Sequence, residues 1–218
     1  MESRYNVELL RCYLNGIYSS IDFSEYNENE LIKFCKENNI KYHAFKVDKI
    51  PLRRVEWVIN KLKALYPETL LDIGTGRGVF LMQLLSTAVL NNLKITCIDI
   101  NLKSIKPVNF MQKGGLKRLK GIVMNAENMG FKDRSFDVIT ALEVIEHIPD
   151  TEKVISELFR VARKYVILSV PSKEDNNPEH IHYFSDEKLN NYILKFQRDK
   201  KKIETVFVRG HMIKVIKV

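Results

Sequence analysis

Three glycines at alternate positions, Gly74, Gly76 and Gly78, follow the apolar run Leu70-Leu71-Asp72-Ile73. Glycines in this pattern let a chain turn tightly and let a ligand approach the backbone. Thr75 lies inside the turn and Asp72 stands just ahead of it. Asp99 closes the next apolar run, about 20 residues on, where an acidic side chain can accept hydrogen bonds from both hydroxyls of a ribose. The dinucleotide fingerprint needs G-x-G-x-x-G, but here the third glycine falls one residue early and position 79 is valine. An Asp72 carboxylate would also repel a pyrophosphate, whereas it suits a cationic ligand end such as an amino group.

A second set is Glu143, Glu146 and His147, followed later by His180 and His182. The i, i+3, i+4 spacing puts the first three on one face if a helix starts there. Two carboxylates with one or two histidines can bind a divalent metal, which would hold acceptor hydroxyls and lower their pKa. The reading given more weight has no metal: Glu146 and His147 orient the loop, and His180 packs over a pocket. Glu143 or His147 is then the candidate to take a proton from an acceptor. Arg53 and Arg54 are candidates for gripping a ligand carboxylate, set against a solvated basic face. Tyr42-His43-Ala44-Phe45 reads as a lid or, more simply, as core.

The elements that must position these residues follow from hydrophobic periodicity. The first ~66 residues read as helical, with Val7 to Tyr18, then Glu28 to Asn39, then a helix opened by Pro51 and ended by Pro67. From Leu70 short apolar strands alternate with helices: strands at Leu70 to Ile73, Leu93 to Ile98, Gly121 to Met124, Phe136 to Leu142 and Tyr165 to Val170, with helices at Val79 to Leu90 and Thr151 to Arg163. Such alternation predicts right-handed βαβ crossovers and a largely parallel sheet. The tail, Glu204 to Arg209 and Met212 to Val218 about a Gly210-His211 turn, predicts an antiparallel hairpin.

From roughly Pro51 to the C-terminus the chain resembles the class I S-adenosylmethionine-dependent methyltransferases. The glycine loop carries the resemblance, with Met124-Asn125-Ala126-Glu127 after the third strand, Ser135-Phe136-Asp137-Val138-Ile139 leading to Ala141-Leu142-Glu143-Val144-Ile145-Glu146-His147, and the closing hairpin. The family usually has Asp where Asn125 stands, and a Pro-Gly-Gly turn where this chain has Ala162-Arg163-Lys164-Tyr165. The resemblance implies an α/β, Rossmann-like, seven-stranded, mostly parallel sheet with helices on both faces. It implies one methyltransferase domain over residues 51–218, with residues 1–50 as a helical extension or lid of the same domain. It implies S-adenosyl-L-methionine as cofactor, held on its methionine side by Asp72, Gly74, Thr75, Gly76 and Gly78, at the ribose by Asp99 and around the adenine by Asn125, Ala126 and Glu127. Ile100 and Leu142 complete the expected set. Two subfamilies, small-RNA 2′-O-methyltransferases and ubiquinone-pathway O-methyltransferases, carry Glu-x-x-Glu-His as metal ligands. That makes Glu143, Glu146, His147 and His182 the metal candidates, although Tyr183-Phe184-Ser185-Asp186 replaces the continuation the RNA enzymes have.

The chain's 218 residues suit one domain. The N-terminus shows no signal-peptide pattern, and the apolar run at Tyr165 to Val170 is far too short to span a bilayer. The three scattered cysteines, Cys12, Cys35 and Cys97, predict reduced thiols and a cytoplasmic protein. The formal charge of +8 favours anionic partners in general, but the basic stretches Lys113 to Lys120 and Lys195 to Lys202 read as solvated surface. The expected function is methyl transfer to a small-molecule acceptor. The alternatives are RNA 2′-O-methylation with a Glu/His metal site, and a non-catalytic or NAD-type nucleotide binder. Substrate choice is expected to reside in the first ~50 residues.

Overall fold

The computed structural model describes residues 6–46, 52–87, 90–174 and 176–218. Five parallel strands form one side of the sheet: β1 (Thr69–Ile73), β2 (Lys94–Asp99), β3 (Leu119–Val123), β4 (Phe136–Leu142) and β5 (Ala162–Pro171). β6 (Ile203–Val208) and β7 (His211–Lys217) complete the order β3-β2-β1-β4-β5-β7-β6. β7 is antiparallel to β5 and to β6. The strand order reverses at β1, so the cleft above the carboxyl ends of β1, β2 and β4 is the switch point where such sheets bind ligands.

Side-chain alternation divides the core in two. Leu70, Ile95, Val138 and Ile167 face α1 (Val7–Ile17), α2 (Glu28–Glu37), α3 (Arg53–Leu65), α4 (Val79–Leu85) and α5 (Leu102–Lys113). Their neighbours Leu71, Ile73, Ile139 and Leu168 face α6 (Thr151–Val161) and α7 (Asp186–Ile193). Helices thus cover both faces, as expected. Each of α1, α2, α6 and α7 starts on a side-chain cap: Asn6, Asn27, Asp150 and Ser185 accept from backbone N–H groups of the first turn.

Among the differences from the expected boundaries, four bear on how the elements connect. α4 ends at Leu85 rather than Leu90, with Ser86 as its C-cap. α3 starts at Arg53 behind Leu52, so the expected Pro51 start lies outside the described residues. The hairpin turn is Arg209-Gly210, not Gly210-His211, because a two-residue turn matched to strand twist needs positive φ at both positions, here 48° and 83°. His211 therefore opens β7, paired with Pro171 of β5. Finally, α6 passes directly into β5 at Ala162, which explains the missing Pro-Gly-Gly turn.

α7 is pinned to the hairpin by a buried cation. The Lys214 ammonium, fully enclosed on β7, donates to Asp186, to Asn190 at 2.7 Å and to Thr205 at 2.7 Å. Three acceptors satisfy the three donors of the ammonium, which is what allows the charge to be buried.

α1 crosses α5 so closely that a Cβ on Gly16 would lie 1.9 Å from the Phe110 carbonyl oxygen. The clash is with backbone and cannot be relieved by a rotamer. Gly16→Ala is expected to destabilise the fold by about 1–3 kcal/mol as an overpacking change, read as a lower urea midpoint. An unchanged midpoint would mean that α1 does not hold this crossing in solution.

Candidate active site

The glycine loop carries positive φ at Gly74 (68°), Gly76 (53°) and Gly78 (75°), a conformation that side chains oppose. Gly74 also needs to be bare, since a Cβ there would lie 2.5 Å from Val144. The Asp99 carboxylate ties the loop to β2, accepting from the Gly76 N–H at 2.9 Å and from the Asn101 N–H at 2.7 Å. Beneath the loop, Asp72 is buried, with the Thr140 hydroxyl at 2.8 Å and the Thr75 hydroxyl at 3.1 Å. Burial pushes its carboxyl up to about 7; the two hydroxyls oppose that shift and nearby Asp99 adds to it.

A cavity of about 380 Å³ opens over the carboxyl ends of β1, β2 and β4. Of the residues expected at the cofactor, Gly74, Gly76, Asp99, Ile100, Asn125, Ala126 and Glu127 form its wall. Asp72, Thr75, Gly78 and Leu142 do not line it. The buried side chains of Asp72 and Thr75 bond to one another instead. Gly78 caps α4 and borders a separate cavity against His43 and Phe45. Asn125 and Glu127 brace one another: the Glu127 N–H donates to Asn125 at 2.8 Å and the Asn125 amide donates to the Glu127 carboxylate at 3.0 Å. Apolar wall is added by Ile73, Ile98 and Val144, and by Met124, which opens the motif segment expected at the adenine.

Glu143 and His147 complete the cavity wall, but not from a helix face as the spacing predicted. Glu143 takes a left-handed backbone, φ 57°, and Ile145–His147 is a single 3-10 turn. Left-handed backbone at a non-glycine residue costs of order 1 kcal/mol and persists where the surroundings over-determine it. Here they do. The Glu143 carboxylate accepts from Ser169 at 2.7 Å and His211 at 2.9 Å, with Arg54 Nε at 3.8 Å. Burial works against its charge, yet the His211 and Ser169 hydrogen bonds and the nearby Arg54 guanidinium hold its pKa below the ordinary carboxylate range. Arg53 pairs with Glu56 at 3.6 Å instead.

The possible metal ligands regroup. Among the described residues, Glu146, His147 and His180 bring ligand atoms within 4.8 Å of one another. Glu143 is held by His211 instead, and His182 Nε2 lies 3.2 Å from the Pro149 carbonyl. His147 Nδ1 lies 2.8 Å from the Glu179 carbonyl, which requires its proton on Nδ1. Tyr42 and Phe45 are buried in the core, the simpler of the two readings for that segment. Lys113, Lys117 and Lys120 are exposed, as are Lys195 and Lys200 to Lys202. No helix among the described residues is long and apolar enough to cross a membrane. Cys35 and Cys97 are buried free thiols, and Cys12 is a half-buried one.

The family description "Methyltransferase domain" matches residues 67–211, a span running from the start of β1 to the first residue of β7. The chain belongs to that family. That family is the class I S-adenosylmethionine-dependent methyltransferases, and membership speaks against the NAD-type reading. The chain is 31% identical to the ubiquinone biosynthesis O-methyltransferase of Rickettsia prowazekii, over 62% of this chain and 55% of that one. It is 33% identical to norajmaline N-methyltransferase of Rauvolfia serpentina, over 52% and 41%. Against the sterol 24-C-methyltransferase of Pneumocystis carinii the figures are 27% identity, 81% and 46%. The chain thus spans about half the length of these relatives. Among solved structures, the methyltransferase domain of bacterial CtHen1 matches with a TM-score of 0.60 at 19% identity, covering 77% of this chain and 97% of that one. A SAM-dependent methyltransferase from Aquifex aeolicus gives 0.56 at 22%, covering 77% and 91%. These structural likenesses speak to the fold.

The cavity suits the cofactor on its own features. Its volume lies in the range of small-ligand sites, a carboxylate stands at one rim for a diol, and bare backbone at Gly74 and Gly76 admits close approach.

Proposed function

We propose that this methyltransferase binds S-adenosylmethionine in the cavity over β1, β2 and β4 and methylates a protic group of a small molecule. One observation carries the reading: the glycine loop, Asp99 and the Asn125-to-Glu127 turn share a single cavity wall with Glu143 and His147. Gly74 and Gly76 would hold the methionine side with their backbone, Asp99 the ribose hydroxyls, and Ala126 with Ile100 the faces of the adenine. When bound, the cofactor supplies a methyl group on a sulfonium, so the protein's task is to align the acceptor in line with it and exclude water. A small-molecule acceptor is supported by three relatives whose names specify ubiquinone biosynthesis, norajmaline and sterol.

A second reading has a specific observation behind it, the grouping of Glu146, His147 and His180. These residue types suit a zinc-like ion that would hold an acceptor hydroxyl. The metal would then accompany either a small hydroxylated acceptor or an RNA 2′-hydroxyl. Loss of transfer with a chelator, restored by added zinc, supports it. A steep salt dependence of binding to short RNA would favour the RNA acceptor.

The test is calorimetric titration of the protein with S-adenosylmethionine, S-adenosylhomocysteine and NADH. Saturable binding of the first two, and not the third, is expected. Binding of neither sulfur compound would overturn the assignment of the cavity.

A further inference from the structure

The methyl-transfer reading leaves open where the acceptor's proton goes, and the geometry points to His211 as the general base, oriented by Glu143. This assignment rests on the reading above. His211 opens β7 at the carboxyl edge of β5, opposite Pro171. Its Nδ1 lies 2.9 Å from Glu143 Oε2, and an ionised carboxylate only accepts, so Nδ1 carries a proton, and in the neutral ring Nε2 then offers its lone pair. The imidazole is 30% exposed, while the carboxylate holding it is 16% exposed and itself forms part of the cofactor cavity wall. On the far side, Pro171 borders a second cavity of about 230 Å³ that reaches His180, His182 and Tyr183. His211 lines neither cavity itself; it joins them, because its partner Glu143 forms wall of the one and Pro171, its neighbour across the strand pair, borders the other.

The other candidates fit the task less well. Both Glu143 oxygens already receive donors, and those donors lower its basicity. His147 also has a lone pair on Nε2, but its Nδ1 partner is a neutral carbonyl. A carboxylate partner, by contrast, stabilises the imidazolium that forms as the proton arrives. Glu143 is thus a positioning residue for His211. The strained backbone that aims its side chain is held by the contacts with Ser169, His211 and Arg54.

The step balances. The acceptor oxygen uses a lone pair to form the new C–O bond with the methyl carbon. The C–S bond breaks and its electrons return to sulfur, and the O–H proton passes to His211 Nε2, later lost to water. The acceptor class is a small molecule bearing an acidic hydroxyl such as a phenol.

The test uses S-adenosylhomocysteine affinity, the spectrum of 4-nitrocatechol bound beside it, and methyl transfer from S-adenosylmethionine to a panel of small phenols and alcohols that includes that probe. Read at a pH below the free probe's own ionisation, wild type is expected to bind the probe as its phenolate, and to methylate it. His211→Asn should bind S-adenosylhomocysteine within about twofold of wild type, lose the phenolate spectrum, and slow by about 10²–10⁴-fold. Imidazole added to His211→Ala should restore part of the rate. Glu143→Gln should lower kcat and leave KM for the phenol nearly unchanged. A His211→Asn enzyme as fast as wild type, a loss confined to His147→Gln, or a wild type that binds S-adenosylhomocysteine but methylates no hydroxyl in the panel would each overturn the assignment. Failure of S-adenosylhomocysteine itself to bind overturns the cofactor reading instead.

Discussion

Replacing Asp99 with alanine is expected to weaken S-adenosylmethionine and S-adenosylhomocysteine binding by at least about 100-fold, because two charge-assisted hydrogen bonds at roughly 1.5–3 kcal/mol each are lost together. The carboxylate spends one acceptor site per oxygen on Gly76 and Asn101, and each oxygen keeps a second lone pair. One carboxylate can therefore brace the loop and accept from a ribose diol at once. Alanine removes both functions, so the glycine loop loses its tie to β2 as well. Asp99→Asn separates them: its carbonyl oxygen still accepts from one partner, while its NH2 group faces a donor. An intermediate affinity is expected. Calorimetry on the two variants, with circular dichroism showing that both remain folded, makes the comparison. Wild-type affinity in Asp99→Ala would move the ribose away from the end of β2.

Asp99 was legible because its position follows from two local facts, an apolar run that ends and a glycine loop about 20 residues earlier. The same holds for Gly74 and Gly76, whose positive φ leaves a direct mark in residue type. The segment from Glu143 to His147 shows the opposite case. Its i, i+3, i+4 spacing is correct for a helix, but Glu143 is turned left-handed by partners 26 and 68 residues away, Ser169 and His211. Nothing local encodes that. His211 itself could have been found only from the hairpin register, and a one-residue error in the turn hid it. α5 went unread for another reason: Pro107 sits inside it and only Ile105, Val108 and Met111 are buried. Its place is fixed by the close crossing with α1, a tertiary contact that overrides propensity. Lys214 points the same way, since a lysine in an apolar strand reads as an exposed edge position, and only the three acceptors around it explain its burial.

Asp137 presents the largest expected effect on stability. Its side chain is fully buried at the amino end of β4, the edge of the sheet opposite the cofactor cavity. One carboxylate oxygen accepts from Arg163 at 2.8 Å and Lys164 at 2.9 Å, and the other from the backbone N–H groups of Glu68 at 3.0 Å and Thr69 at 3.3 Å. The carboxylate thus joins the entry to β1, the start of β4 and the start of β5. Burial alone would raise its pKa, but Lys164, Arg163 and the Glu68 N–H outweigh burial and hold it at about 2. Asp137→Ala strands those N–H donors and releases two cations that are themselves half-exposed. A loss of about 2–4 kcal/mol is expected, below the full range for breaking a buried pair. The pH dependence follows from the sign of the shift. A carboxyl held below its unfolded value favours the folded state once pH exceeds the unfolded pKa, and that contribution is lost as pH falls from about 4 toward about 2. The gap in urea midpoint between wild type and Asp137→Ala should therefore be constant near neutrality and narrow across that acid window. A gap that stays constant down to about pH 2.5 would mean that the carboxylate is not ionised in the native state through these contacts. Because Asp137 lies at the far edge of the sheet, S-adenosylhomocysteine affinity at neutral pH should match wild type as long as the variant is folded, so the variant separates what holds the sheet together from what binds at its carboxyl end.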